Sequence, residues 1–413
     1  MKLGFKNPWW VVVGAVTGLI VCNGPVLAFT FGVFLKPIMA DMGWQRGTAS
    51  FALAFGELFG AVTVPVLGLM MDRWTIRRVA LPGIVAFAAC LGLMGLTPHS
   101  LPIFIMLFAL VSIAGAIQTP LGYTKAIAAW FDRRRGLALG IAMAGVGIGG
   151  MIVPQVAQAL IAHVGWRGAY ASLGAMVLLI ALPAVGLWVR EPQPGEGERR
   201  TPHPTTAAGL TAREAAITVR FWLLAGAFFL VAMALLGSSA HVIPLLTDRG
   251  LSPAAATATF GLFGLSTLAG RVVTGFLVDR IFAPYIAAAF WFAPVAGFAM
   301  LISGTGVLPG IGVFLIGLGL GSEVDMLAFL NSRYFGQRAF GQLYGYFFMS
   351  FALGGACGRF LGGYLFDLAG SYGPALIGAG AALVGAIALL SRLGPYVYPV
   401  EHAISPVLAP EPA

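Results

Sequence analysis

GLMMDRWTIRR (Gly68–Arg78) and GFLVDRI (Gly275–Ile281) each close an apolar run, and both follow the pattern Gly-x-x-x-Asp-Arg. The glycine admits a neighbouring helix at close range. The Asp-Arg pair marks the depth at which the apolar run meets water. Two copies so far apart in one chain point to a duplicated unit. A second pair agrees: AWFDRRRGLALG (Ala129–Gly140) and RYFGQRAFGQLYG (Arg333–Gly345) both set two aromatics before arginine and then spaced glycines. Parallel duplication of a six-helix unit accounts for both pairs.

The composition says what surrounds such units. Of 413 residues, 59% are hydrophobic and 9% charged, against roughly 25% charged in soluble proteins. Lipid, rather than water, must cover most of the surface. The apolar runs reach the ~20 residues of a membrane-spanning helix and exceed the ~10 of a barrel strand. The expected fold is an all-α membrane protein with twelve transmembrane helices in two pseudo-symmetric six-helix bundles. The widest polar break, Glu191–Ala215, is rich in Pro, Gly and charge, as a linker should be. The expected organisation is residues 1–190, an N-terminal bundle; 191–219, a cytoplasmic linker; 220–392, a C-terminal bundle; and 393–413, a loose cytoplasmic tail. MKLGFKNPWWVVV at the start reads as a retained first helix, because no small-residue cleavage site follows a short apolar core. Cys22, Cys90 and Cys357 lie in apolar stretches and form no metal-ligand spacing.

With both termini placed in the cytoplasm, seventeen of the 24 lysines and arginines fall on the cytoplasmic side. Lys36, Arg46, Arg167 and Arg249 fall outside, and Lys125, Arg271 and Arg359 lie within spans. This bias follows the positive-inside rule and fits a multi-pass protein of a bacterial inner (plasma) membrane. It also accounts for the net charge of +9 without nucleic acid, since the cations are spread over turns that face lipid headgroups.

With its twelve expected spans, its central linker, GLMMDRWTIRR, the copy GFLVDR and RRGLALGIAMAGVGIGG, the chain resembles the major facilitator superfamily over roughly residues 9–392. AHVIPLLTDRGLS (Ala240–Ser252) and AGRVVTGFLVDR (Ala269–Arg280) are similar to the monocarboxylate transporter and oxalate/formate antiporter group within it. The resemblance implies alternating access, commonly with proton coupling, and a role for Arg271 in binding a substrate carboxylate. It places His241 near the site. Thr267 stands where animal members carry an aspartate.

Ionisable groups within the spans are the candidates for function. Arg271 shares a helix face with Gly264, Thr267 and Gly275. A guanidinium grips a carboxylate through two parallel bonds; the alternative is a structural ion pair with Glu323, Asp325 or Glu57. Gln118 and Tyr123, beside the helix-loosening Pro120, and Asn23, ahead of Gly24-Pro25, are candidates to contact substrate. Tyr346, in an aromatic cluster, is another. Glu57, Glu323, Asp325 and His241 are candidates for proton coupling. Glu323 and Asp325 sit about 200° apart on a helix, so one is expected to face the cavity and the other a neighbouring helix. Arg359 is a candidate for substrate contact or for a pair with Asp367 or a lipid phosphate. Asp72, Arg73, Asp279 and Arg280 are gating candidates, able to hold one conformation and release it in the other.

No nucleotide loop or metal motif is present, so no cofactor is expected, and neither an enzyme nor a primary pump. A secondary carrier of a small organic anion, a mono- or dicarboxylate, leads. A proton-coupled carrier of a cationic or zwitterionic amine, using Glu57, Glu323 or Asp325, is the second candidate. A receptor would need a sensory domain, which neither linker nor tail supplies. One chain holds both halves, so a monomer in the bilayer, with the anion and protons as partners, is expected to suffice.

Overall fold

The computed structural model describes residues 7–131, 135–192, 209–278, 280–304, 306–336 and 338–398. The call on Asp279, most of the linker and the tail from residue 399 lie outside the described residues, as do the side chains of Asp72, Arg73 and Asp325. The chain is helical throughout. The first half comprises α1 (Trp9–Ile20), α2 (Phe31–Met42), α3 (Arg46–Arg73), α4 (Ile76–Met94), α5 (Leu101–Gly115), α6 (Pro120–Trp130) and α7 (Arg135–Leu187). A short α8 (Ala212–Ala216) follows the linker. The second half comprises α9 (Val219–Asp248), α10 (Pro253–Leu277), α11 (Ala283–Ser303), α12 (Leu308–Phe335), α13 (Phe340–Ala369) and α14 (Gly373–Ser391).

Two interruptions fall where the sequence weakens a helix. Between α1 and α2 the backbone widens into a π-helical turn at Gly24–Ala28, because Pro25 has no N–H to continue the ladder. Between α5 and α6 it tightens into a 3-10 turn at Ala116–Gln118, and Thr119 is extended at φ −95°, ψ 165°. A residue before proline is driven out of the helical region, and Pro120 opens the new helix.

Among the described residues, ten helices are long and apolar enough to cross a membrane, against the twelve expected. The difference has two sources. α7 counts once although Gly165, at φ 70° and ψ 173°, breaks it. Its 53 residues would extend about 80 Å if straight, far beyond a bilayer core of about 30 Å. The second source is α13, which is absent from the ten and carries Gln342, Ser350, Arg359 and Asp367.

The halves meet where α3 lies along α13, α7 along α10 and α2 along α9. At the α7–α10 crossing, a Cβ on Gly264 would run into the backbone of Gly150 and Met151. Only hydrogen there allows the two backbones to touch. At α9–α13, within the second half, Gly237 and Gly358 make an equally close approach.

Residues 393–398, assigned to a loose tail, lie against the end of α12. Val397 and Tyr398 donate backbone bonds to the Arg333 carbonyl at 3.2 and 2.9 Å, and the Tyr396 hydroxyl accepts from Ala283 N at 2.8 Å.

Substituting Gly264→Ala is expected to cost about 1–3 kcal/mol through overpacking, seen as a lower Tm of the purified protein in detergent. Gly378→Ala, whose Cβ meets nothing within 4 Å, serves as the control that leaves Tm in place. Equal Tm values for the two variants would show that the crossing tolerates the extra atom.

Candidate functional site

Charged and polar groups from both halves form three layers along the bundle. The first lies at the far end, away from the N-terminus and the linker. The Asp248 carboxylate, at the end of α9, accepts from Arg46 Nη1 at 2.5 Å and Nη2 at 2.9 Å. Lys36 Nζ stands 2.7 Å from it. Arg46 Nη1 also donates to the Tyr372 hydroxyl at 2.8 Å, and its guanidinium lies 3.7 Å over the Phe366 ring. The Asp367 carboxylate accepts from the backbone N–H groups of Arg46 at 3.2 Å and Gly47 at 2.6 Å. Lys36 and Arg46 belong to the first half; Asp248, Asp367 and Tyr372 belong to the second. This layer therefore holds the halves together at the far end.

The second layer is deeper. Arg359 Nη1 donates to the Glu57 carboxylate, joining α13 to α3 across the two halves. The side chains are only 5% and 16% exposed, so the pair is largely shielded from water. The other oxygen of Glu57 and Nε of Arg359 have no hydrogen-bond partner among the described residues. The Arg359 carbonyl accepts from His241 Nε2 at 2.8 Å. The His241 ring lies between Phe31 and Tyr372, with centroids 6.1 and 5.2 Å away. Two expectations are corrected here. Arg359 pairs with Glu57 rather than Asp367, whose carboxylate is committed to the start of α3. Glu57 pairs with Arg359 rather than Arg271.

The third layer is in the middle. Arg271 on α10 and Glu323 on α12 are both buried, and the Arg271 charge acts on Glu323. Cys22, beside the π-turn of the first half, is buried as well. Tyr123 packs against Gly18, and its hydroxyl donates to Gln118 Oε1 at 2.6 Å. The Gln118 amide nitrogen is buried with no hydrogen-bond partner among the described residues, as is Oε2 of Glu323. Buried polar groups are rarely left in that condition.

The remaining candidates separate. Thr267 donates to the Phe263 carbonyl at 2.7 Å and lies 3.1 Å from the Gly317 carbonyl, which commits its one proton to helix packing behind Arg271. Asn23 sits half-buried at the head of the π-turn. Tyr346 is 40% exposed and packs on Phe221, at the opposite end of α13 from Arg359. Arg280 is exposed and bonds its own helix at the Phe276 carbonyl, 2.6 Å away. Lys125 Nζ donates to the Met71 carbonyl, tying α6 to the end of α3. No group of metal-ligating side chains occurs among the described residues.

Asp248, Lys36 and Arg46 were not among the candidates, and Asp367 was expected only as a partner of Arg359. A usable signal existed: Lys36 and Arg46 are among the four cations on the wrong side of the positive-inside count.

These features define a helical membrane protein whose two halves are joined by buried charged groups. The chain belongs to the major facilitator superfamily, whose family model matches residues 17–358. It is similar to an uncharacterized 38 kDa protein in the 23S RNA operon of Thermoproteus tenax, 26% identical over 391 residues, covering 94% of this chain and 96% of that one. It is also similar to monocarboxylate transporter 11 of Homo sapiens, 25% identical over 339 residues, covering 78% and 69%. A bacterial homolog of the human lysosomal transporter Spinster, in an inward-facing and unoccupied conformation, superposes with TM-score 0.68 at 17% identity, covering 95% and 96% of the two chains. The chain is thus a multi-pass secondary transporter with the alternating-access fold, embedded in a lipid bilayer.

The far layer can be tested by a double-mutant cycle. Arg46→Ala and Asp248→Ala should each destabilise the detergent-solubilised protein. The double variant should lose less than the summed single losses, with a coupling of about 1 kcal/mol or more. Additive losses would show that the bidentate contact holds nothing.

Proposed function

We propose that the chain carries a small organic anion, a mono- or dicarboxylate, together with protons across a bacterial inner membrane. It makes twelve crossings in bundles of residues 1–190 and 220–392, with both termini cytoplasmic. Counting α7 as two passes and adding α13 to the ten candidate spans gives that number. The observation that carries the substrate class is Arg271, a guanidinium buried within the candidate span α10. The likeness to a monocarboxylate transporter supports it.

The geometry suggests how anion and proton are coupled. Arg271 and Glu323 offset each other's charge in the empty site. An anion that takes Arg271 leaves Glu323 as a second buried negative charge. Breaking a buried pair costs about 3–5 kcal/mol, and a proton on Glu323 removes that cost. Gln118 and Tyr123 offer polar contacts from the first half, and Asn23 lies at the helix break that can adjust to the substrate. Asp325 and Glu57 are further proton candidates. Asp72, Arg73, Asp279 and Arg280 are the gate at the near end. The far layer is closed. The unpartnered Glu323 oxygen favours the second candidate, a cationic or zwitterionic amine.

Reconstitution in proteoliposomes under an imposed pH gradient tests this, with lactate, oxalate and benzoate against a panel of amines. Arg271→Ala should lower anion uptake at least tenfold, and Glu323→Gln combined with Asp325→Asn should remove acceleration by the gradient. Undiminished anion uptake by Arg271→Ala would overturn the anion assignment. Amine uptake that needs Glu323 but not Arg271 would establish the alternative.

A further inference from the structure

The far layer divides its charges by half. Lys36 and Arg46 stand on the first half, and Asp248 and Asp367 on the second. Among the described residues, the side-chain partners of both cations lie across the interface. Lys36 Nζ meets the Asp248 carboxylate at 2.7 Å. Arg46 meets it through Nη1 and Nη2 at 2.5 and 2.9 Å, and its other contacts are the Tyr372 hydroxyl and the Phe366 ring. The neighbouring charges are spoken for within their own halves. Asp41 of α2 is taken by Arg167 Nη1 at 2.6 Å. Arg249, beside Asp248, turns to the Ile302 and Gly304 carbonyls.

Alternating access requires this end to open. Parting the halves leaves two uncompensated cations on one wall of the mouth and two carboxylates on the other. The first-half wall then presents what a carboxylate binds. The Arg46 fork already seats one through two bonds, the geometry in which a guanidinium holds a carboxylate most strongly, and Lys36 reaches the same group. Beside them the Arg46 and Gly47 amides hold a second carboxylate, that of Asp367, at 3.2 and 2.6 Å. A Cβ on Gly47 would stand 2.8 Å from Asp367 Oδ2, so the glycine keeps those amides open to an anion. Asp248 and Asp367 thus occupy, from the other half, a set of groups built for carboxylates.

We propose that Lys36 and Arg46, with the first amides of α3, form an entry site for the carried carboxylate at the open far end. The solute's carboxylate takes the place of Asp248 there before it passes to the central layer. The two aspartates, left on the opposite wall, repel it towards that site. Closing the far end returns Asp248 to the cations and displaces any anion still held, so latch and entry site are one set of groups. The inference rests on the anion reading given above.

The test is initial-rate uptake of lactate, oxalate and benzoate by the full-length protein. The proteoliposomes are those whose N-terminal tag is sealed inside, so that the far end faces the medium. Asp248→Asn should lower KM, because it weakens the latch and frees both cations. In that background Lys36→Gln has no ion pair left to break, and it should raise KM about threefold or more. A latch with no part in capture would leave KM unchanged at this step. Lys36→Gln in the unmodified protein keeps the Arg46–Asp248 contact and serves even where Asp248→Asn fails to fold. Raising the ionic strength should raise the KM of the unmodified protein, and Lys36→Gln should flatten that dependence. An unchanged KM when Lys36→Gln is added to Asp248→Asn, or a salt dependence that Lys36→Gln leaves intact, overturns the entry site. The anion reading then still stands if uptake needs Arg271. Absence of uptake of all three anions by the unmodified protein overturns both.

Discussion

A charge inside a membrane-spanning bundle must be neutralised where it stands, because no water is at hand to do it. That requirement orders this molecule. Arg359 carries its charge into the second half and finds Glu57 in the first. Arg271 is buried in the middle of α10, as Glu323 is on α12. The helices that carry these groups cannot separate without giving each ion another partner.

The glycines work on the same interface from the side of shape. Gly264 brings α7 and α10 into backbone contact, so the halves meet through a smooth strip at that crossing and through ions elsewhere. A smooth strip can roll or slide with little change in packing. Paired ions make and break at fixed positions. Together they give two discrete arrangements in preference to a continuum.

Much of this was legible in the sequence, and the limits have physical causes. The helix breaks at Gly24-Pro25 and Pro120 were readable because proline chemistry is local. Arg271 and the embedded acids stood out because charge is rare in apolar runs. The partners of Glu57 and Arg359 were not readable. Pairing across halves depends on how each helix is rotated about its axis, and with apolar residues on every face the sequence carries no periodic signal to fix that rotation. Asp367 was mistaken for a partner of Arg359 for the same reason: eight residues apart on one helix, they looked close, while the fold turns them to different neighbours. The count of crossings came up two short because Gly165 breaks α7 without separating it into two helices, and because the polar and charged residues of α13 lower its hydropathy.

The Asp367 carboxylate has a consequence of its own. The first amides of any helix lack partners within that helix, and for α3 two of them are satisfied by a side chain from the other half. The cap is thus supplied in trans, and only while the far end is shut. Parting the halves there uncaps α3 and exposes its positive dipole end. The same movement admits water, which solvates those amides at once. A latch that is rehydrated as it opens holds firmly yet releases at small net cost, whereas the dry Glu57–Arg359 contact beneath it receives no such help. The outer contact is therefore suited to frequent opening and the inner one to deciding whether that opening goes further.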